Sequence, residues 1–244
     1  LKSGKIAICI SGMLRTGIQA YPVFRNFFDS LGEYDIFYHT WKLDSSISNL
    51  LKTTYKPTRF LEEDPLNNTK ESSFGSMLYS IMMANELKKQ YEIENNFRYD
   101  LVIKTRFDLV FPKTIKFPVD ENIWPRTIYS VNGNCGINHT DYENHGISDV
   151  IFWGDSQSMD LATNIYRHYK YTTLVKDMYL RDGWKMDVKD YYLSPGTMIY
   201  QRTVKQNIAH VRLPSIGEVP WRDDVAELDP VKDYDKIRER YAKG

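Results

Sequence analysis

Lys5–Ser11, KIAICIS, closed by Gly12 and followed after a helical stretch by Asp35–Trp41, DIFYHTW, decides the fold class. The first run is short, apolar and β-branched, without the alternation of a half-solvated strand, so it reads as a central strand buried on both faces. Between the two runs, Gly17–Leu31 carries Ile18, Tyr21, Val23, Phe24, Phe27, Phe28 and Leu31 at mostly helical spacing, and Gly32 supplies a stop. Strand, helix and strand at these distances fit a right-handed βαβ unit. The chain therefore opens as an α/β protein.

Residues 43 to 73 are polar and contain Pro57 and Pro65, so they read as loop and weak structure, with a short extra strand at Pro57–Leu61. From Ser72 or Ser73 to Glu94, Met77, Leu78, Ile81, Met82, Ala84, Leu87 and Tyr91 recur at threes and fours, which predicts a long amphipathic helix begun by a capping serine. Tyr99–Phe111, YDLVIKTRFDLVF, buries Leu101, Val102 and Ile103, presents charges after them and breaks at Pro112. Residues 112 to 147 read as variable, with one strand at Thr127–Val131. Ser148–Trp153 reads as a strand and Ser156–Lys170 as a helix capped by Asp155 or Ser156. Further on, Thr197–Asn207 is helical in pattern, His210–Leu213 a short strand and Asp233–Ala242 a surface helix. The expectation is one domain over residues 1–244, a mixed Rossmann-like α/β sheet flanked by helices, with its core at about 5–213 and a charged tail at 220–244.

Lys plus Arg equals Asp plus Glu at 32 each, so no global field gathers nucleic acid or an anionic membrane, and any anion site must be local. Aromatic residues make up 14% of the chain, which suits stacking on flat or ring-shaped ligands as well as core filling. Cys9 and Cys135 have no metal-like spacing, no apolar run approaches a bilayer span, and no signal-type segment is evident. These features read as a soluble, cytoplasmic chain with no membrane anchor, and the sequons at Asn67 and Asn138 carry no weight alone. The histidines show no HExxH or other ligand spacing, which argues against a zinc enzyme.

Three stretches carry candidate chemistry. Ser11-Gly12-Met13-Leu14-Arg15-Thr16-Gly17 places glycines, hydroxyls and an arginine at the carboxyl edge of the first strand, where open α/β sheets bind ligands. Glycine admits a close backbone approach, the next helix offers N–H groups, and Arg15 can fork onto phosphate. The stretch is neither GxGxxG nor a P-loop. His39 and Trp41 end the second strand at the same edge, either as packing residues or as ligand contacts. Lys104, Arg106 and Asp108 stand two apart, so an extended chain would put them on one face. There the two cations would neutralise a diphosphate, and Asp108 would hold a divalent ion or a sugar. A salt-bridge ladder is the competing structural account. Trp221-Arg222-Asp223-Asp224 is a further stacking, lid or metal candidate, whereas His139, Asp141 and His145 read as a solvated loop.

Taken together, SGMLRTG, DIFYHTW, the long helix, YDLVIKTRFDLVF and SDVIFWGDSQSMD resemble a family of GT-A glycosyltransferase-like proteins of bacteria and large viruses, over roughly residues 5 to 210. The resemblance implies a nucleoside-diphosphate-sugar donor, a glycan or related acceptor, and transfer of a hexosyl or deoxyhexosyl group to a hydroxyl. Ser11, Gly12, Arg15, Thr16, His39, Trp41, Lys104, Arg106 and Asp108 are its implied donor-binding residues. GT-A enzymes usually hold Mn²⁺ or Mg²⁺ with a DxD motif at the end of a central strand. Here Arg106-Phe107-Asp108 stands in that place, so Asp108 is the implied metal ligand, while Arg106 offers a guanidinium in place of the first acid. The metal requirement is therefore open. Asp149 is the implied base of an inverting enzyme, with a backbone-capping role as its alternative. A GT-A-like binding module without catalysis and a sugar nucleotidyltransferase are the rival readings, although residues 11 to 17 lack the lysine of a nucleotidyltransferase activation loop.

Overall fold

A computed structural model of the chain describes residues 4–66, 73–113, 123–131 and 147–167, with residues 115, 117 and 118 and short pieces between 199 and 239. The elements are β1 (Ile6–Ser11), α1 (Gly17–Phe28), β2 (Asp35–Trp41), α2 (Ser45–Tyr55), β3 (Arg59–Glu63), α3 (Ser73–Glu94), β4 (Leu101–Thr105), β5 (Leu109–Val110), β6 (Thr127–Val131), β7 (Phe152–Gly154), α4 (Ser156–Thr163), β8 (Ala209–Leu213) and β9 (Val219–Pro220).

Seven strands form one mixed sheet in the order β3-β2-β1-β4-β7-β6-β8, and β5 pairs with β9 in a separate two-stranded ribbon. The strands from β3 to β4 are parallel, β7 runs against both β4 and β6, and β6 is parallel to β8. This is the expected α/β class, a mixed sheet flanked by helices.

Alternation along each strand sorts the core into two layers. Ile6, Ile8 and Ile10 of β1 face α1 and α2 together with Ile36, Tyr38, Leu101 and Ile103. Ala7 and Cys9 face α3 and α4 with Phe37, Val102 and Phe152. Both faces of β1 are therefore covered, which is why KIAICIS has no polar alternation. On one side α1 contributes Val23, Phe24, Phe27 and Phe28, and Phe27 stacks on Phe111 with centroids 3.7 Å apart.

Several boundaries differ from the expectation. The loop expected after Leu43 contains α2, whose buried residues are only Ser48, Leu51 and Tyr55. So few apolar residues on one narrow stripe leave a weak periodic signal. The extra strand is β3, two residues beyond its expected start. The strand expected at Ser148–Trp153 is confined to Phe152–Gly154, because pairing with Lys104 begins only at Phe152. The helix after it is α4, opened by Asp155, which accepts the Ser158 N–H at 3.0 Å. Among the late elements, β8 is present one residue early, and Asp235, Lys236, Arg238 and Glu239 are helical and exposed. Ile199 and Thr203 are helical, but most of Thr197–Asn207 lies outside the described residues, as do Cys135, both sequons, His139, Asp141, His145, His168 and Trp221–Asp224. Among the described residues no helix is long and apolar enough to cross a membrane.

Candidate functional site

The chain leaves β1 toward β2 and β3, then returns through α3 to β4 on the other side of β1. The carboxyl ends of β1 and β4 therefore flank a topological switch point, the place where connections diverge and open a crevice. The segments leaving these two ends are Ser11–Gly17 and Arg106–Asp108.

The first is shaped by its backbone. Gly12 has φ +111°, a conformation that side chains rarely adopt, and a Cβ there would meet nothing within 4 Å. Its N–H donates to Ser80 Oγ of α3 at 2.8 Å. Arg15 is itself in the left-handed region at φ 44°, which is uncommon for a residue other than glycine and turns the chain into α1. Thr16 is buried at the N-cap of α1. At the next residue, a Cβ on Gly17 would lie 2.6 Å from Phe107 Cβ and 2.9 Å from Leu14 Cδ1. Only glycine lets the first turn of α1 approach the β4–β5 turn this closely.

That turn is anchored by Phe107, which is buried edge-on against Tyr38 and Tyr55, each with centroids 5.5 Å away. Tyr55 also donates to the Gly17 carbonyl at 2.8 Å, tying α2 to the start of α1. With Phe107 fixed, Asp108 is 1% exposed and accepts from two guanidinium groups. Arg106 donates Nε–H to Oδ1 at 2.8 Å and Nη2–H to Oδ2 at 2.7 Å, and Arg15 donates Nη1–H to Oδ2 at 2.9 Å. Burial pushes the Asp108 carboxyl up, but the charge and hydrogen bonds of Arg106, followed by those of Arg15, outweigh it and hold the group below the usual carboxylate range. Two guanidiniums thus face one buried carboxylate at the crevice. The Arg side chains keep 29% and 18% exposure, for Arg15 and Arg106 respectively, so both stay partly open to solvent while held on Asp108.

Lys104 does not continue this face. The strand ends at Thr105, so two-residue alternation stops before Arg106, and Lys104 lies on the α3 and α4 side with Val102. Its buried ammonium donates to the carbonyl oxygens of Asp149 and Val150 and sits 5.8 Å from the Phe152 ring centroid. Lys104 thus fixes the main chain of Asp149. Because Lys104 pairs with Phe152 in an antiparallel register, Asp149 falls toward the carboxyl edge of β4, the same edge as Arg106.

A second cluster lies across β1, at the ends of β2 and β3. His39 is fully buried, with Nδ1 2.8 Å from Ser80 Oγ and Nε2 2.8 Å from Glu63 Oε1. A carboxylate only accepts, so the neutral ring donates Nε2–H to Glu63 and accepts the Ser80 hydroxyl at Nδ1. Burial lowers the His39 pKa against the opposing pull of Glu63, which favours this neutral form. Tyr79 is pushed up to about 12 by burial and then by its hydrogen bond to Glu63. Trp41 lies nearly parallel to Tyr79, at 6.1 Å and 11°, making a partly exposed aromatic wall. His39 therefore acts through Ser80 on the Gly12 turn, and Trp41 is the member of its strand available for stacking. Ser11 is buried beside them. Glu63, Tyr79 and Ser80 were not legible as site residues, because neither a helix interior nor a weak edge strand signals a shared polar relay.

The DxD resemblance implies a divalent ion at Asp108, and the residues do not fit one. All three hydrogen bonds to this carboxylate come from guanidiniums, and a cation at coordinating distance would displace one and face both. At about 4 Å and an effective dielectric near 20, unit charges interact by about 4 kcal/mol, and a divalent ion doubles that against each arginine. Among the described residues, no three His, Cys, Asp or Glu side chains gather to hold a metal. Two buried hydroxyls near the same strand ends, Thr40 Oγ1 and Thr105 Oγ1, have no hydrogen-bond partner.

No protein-family model matches the sequence, and no curated protein matches it. Several solved structures match the chain, one of them over most of its length. It is a glycosyltransferase involved in the glycosylation of the major capsid of PBCV-1. The similarity covers 86% of this chain and 81% of that one, at 8% identity and a TM-score of 0.43. Likeness at this level assigns neither family nor activity to the chain.

Proposed function

We propose that this chain is a glycosyltransferase that moves a sugar from a nucleoside-diphosphate donor to a hydroxyl of a glycan or related acceptor. One observation carries the reading: Arg15 and Arg106 are held on the buried carboxylate of Asp108 where β1 and β4 diverge. A diphosphate is an anion of the size and charge that two forked guanidiniums recognise. The Trp41–Tyr79 wall at the neighbouring strand ends gives a flat group attached to that diphosphate a surface to stack on.

The chemistry follows from these positions. As the bond between the anomeric carbon and the diphosphate oxygen breaks, negative charge grows on the leaving phosphate, and Arg15 and Arg106 stabilise it where it develops. The acceptor hydroxyl attacks the anomeric carbon and gives up its proton. In an inverting course Asp149 takes that proton, its main chain steadied by Lys104. The SGMLRTG and YDLVIKTRFDLVF resemblance supports the same reading from the sequence side.

The test is a panel of nucleotide sugars assayed by thermal shift and by slow donor hydrolysis, on the natural chain and on Arg106→Gln. Stabilisation by at least one donor, with sugar release that falls in Arg106→Gln, is the expected result. If no nucleotide sugar raises the melting temperature at millimolar concentration, the proposal fails.

A further inference from the structure

We infer that the guanidinium pair takes the place of a divalent cation, so that Arg15 and Arg106 bind the donor diphosphate without metal and Asp108 positions them. The inference rests on the donor reading above and deepens it.

Three features of the crevice point this way. First, the Asp108 carboxylate accepts three N–H donors at 2.7 to 2.9 Å, two on Oδ2 and one on Oδ1, and at 1% exposure it is buried away from a hydrated cation. Mg²⁺ binds with near-ideal octahedral geometry and keeps several waters, which a buried carboxylate held by two arginines does not accommodate. Second, the clamp is built rather than incidental. Arg15 occupies a left-handed backbone conformation, Gly17 permits the close approach to Phe107, and Arg106 forks onto both carboxylate oxygens. Third, two guanidiniums already face this carboxylate, and their charge repels an incoming cation. Asp108 touches neither donor nor metal in this account; it fixes the two arginines at one distance from each other.

The probes are UDP, GDP and inorganic pyrophosphate, titrated calorimetrically into the full chain in excess EDTA and again with millimolar Mn²⁺ or Mg²⁺. Binding of at least one probe in EDTA, with an affinity that changes by less than about threefold on adding metal, is the expected result. Arg15→Gln and Arg106→Gln are each expected to lose about tenfold or more in both buffers, since each removes a charge-assisted contact. Circular dichroism of the two variants confirms that they are folded. Binding that needs Mn²⁺ or Mg²⁺, with the metal-dependent gain lost in Asp108→Asn, overturns this inference while leaving the donor reading intact. Equal affinity of both arginine variants and the natural chain overturns the clamp. An absence of binding by every probe in both buffers overturns the inference and the donor reading together.

Discussion

Asp108 is ionised in the folded chain at pH values where an ordinary aspartate takes up its proton. Burial alone would raise its pKa from 3.8; Arg106 and Arg15 reverse the shift. Because the folded pKa lies below the unfolded one, the stability it contributes is complete above the unfolded value and is lost as pH falls through the folded value. Asp108→Asn is therefore expected to cost about 2–4 kcal/mol at neutral pH, and to flatten the loss of stability that begins below about pH 4. Urea unfolding across pH checks both. Equal slopes for the two chains would show that the carboxylate is not held by the arginines. At this scale Lys104, Arg106 and Asp108 were legible as charges set two apart, with a salt-bridge ladder as the competing account, and Arg15 as a separate anion ligand. Their mutual geometry was not, because a pattern of charges two apart assumes an unbroken strand and β4 ends at Thr105. Lys104 falls outside the cluster for the same reason.

Helix α3 is the element that joins the two halves of the sheet, and it does so with buried charge. Lys88 is fully buried and donates to Glu92 at 3.1 Å, Ser156 Oγ at 2.6 Å and Asp160 at 2.7 Å, so all three ammonium protons are used across α3 and α4. Arg98 adds a bond to Asp160 at 2.8 Å, and Glu92 accepts the Tyr99 N–H that leads into β4. Lys88→Met removes the buried cation shared by Glu92 and Asp160, leaving them the more exposed Arg98, and is expected to destabilise the chain by about 3–5 kcal/mol. Chemical denaturation measures it, and a loss below about 1 kcal/mol would mean that the network is not what docks α4. The periodicity of α3 was clear in the sequence because Leu78, Ile81 and Ala84 repeat on its sheet-facing side. The polar stripe carrying Ser80 and Lys88 was hidden, since a lysine or serine on a helix is usually solvated. In α2 the reverse holds: only Leu51 and Tyr55 are large and buried, too few to announce a helix among polar neighbours.

For the whole molecule, the balance of 32 basic and 32 acidic residues leaves recognition of an anion to local clusters. The parallel half of the sheet was legible from KIAICIS and DIFYHTW, since strands covered on both faces are written in unbroken apolar runs. The antiparallel entry of β7 and the pairing of β5 with β9 were not, because they depend on contacts distant in sequence and on segments only two or three residues long. Strand order then brings Ser11–Gly17 and Arg106–Asp108 to one edge, which is the basis of the functional account. The most direct test is a crystal structure of the chain grown with a nucleoside diphosphate. The account predicts the phosphates within hydrogen-bond distance of Arg15 and Arg106, against the Gly12–Gly17 turn. A nucleotide bound with its phosphates away from both guanidiniums would contradict it.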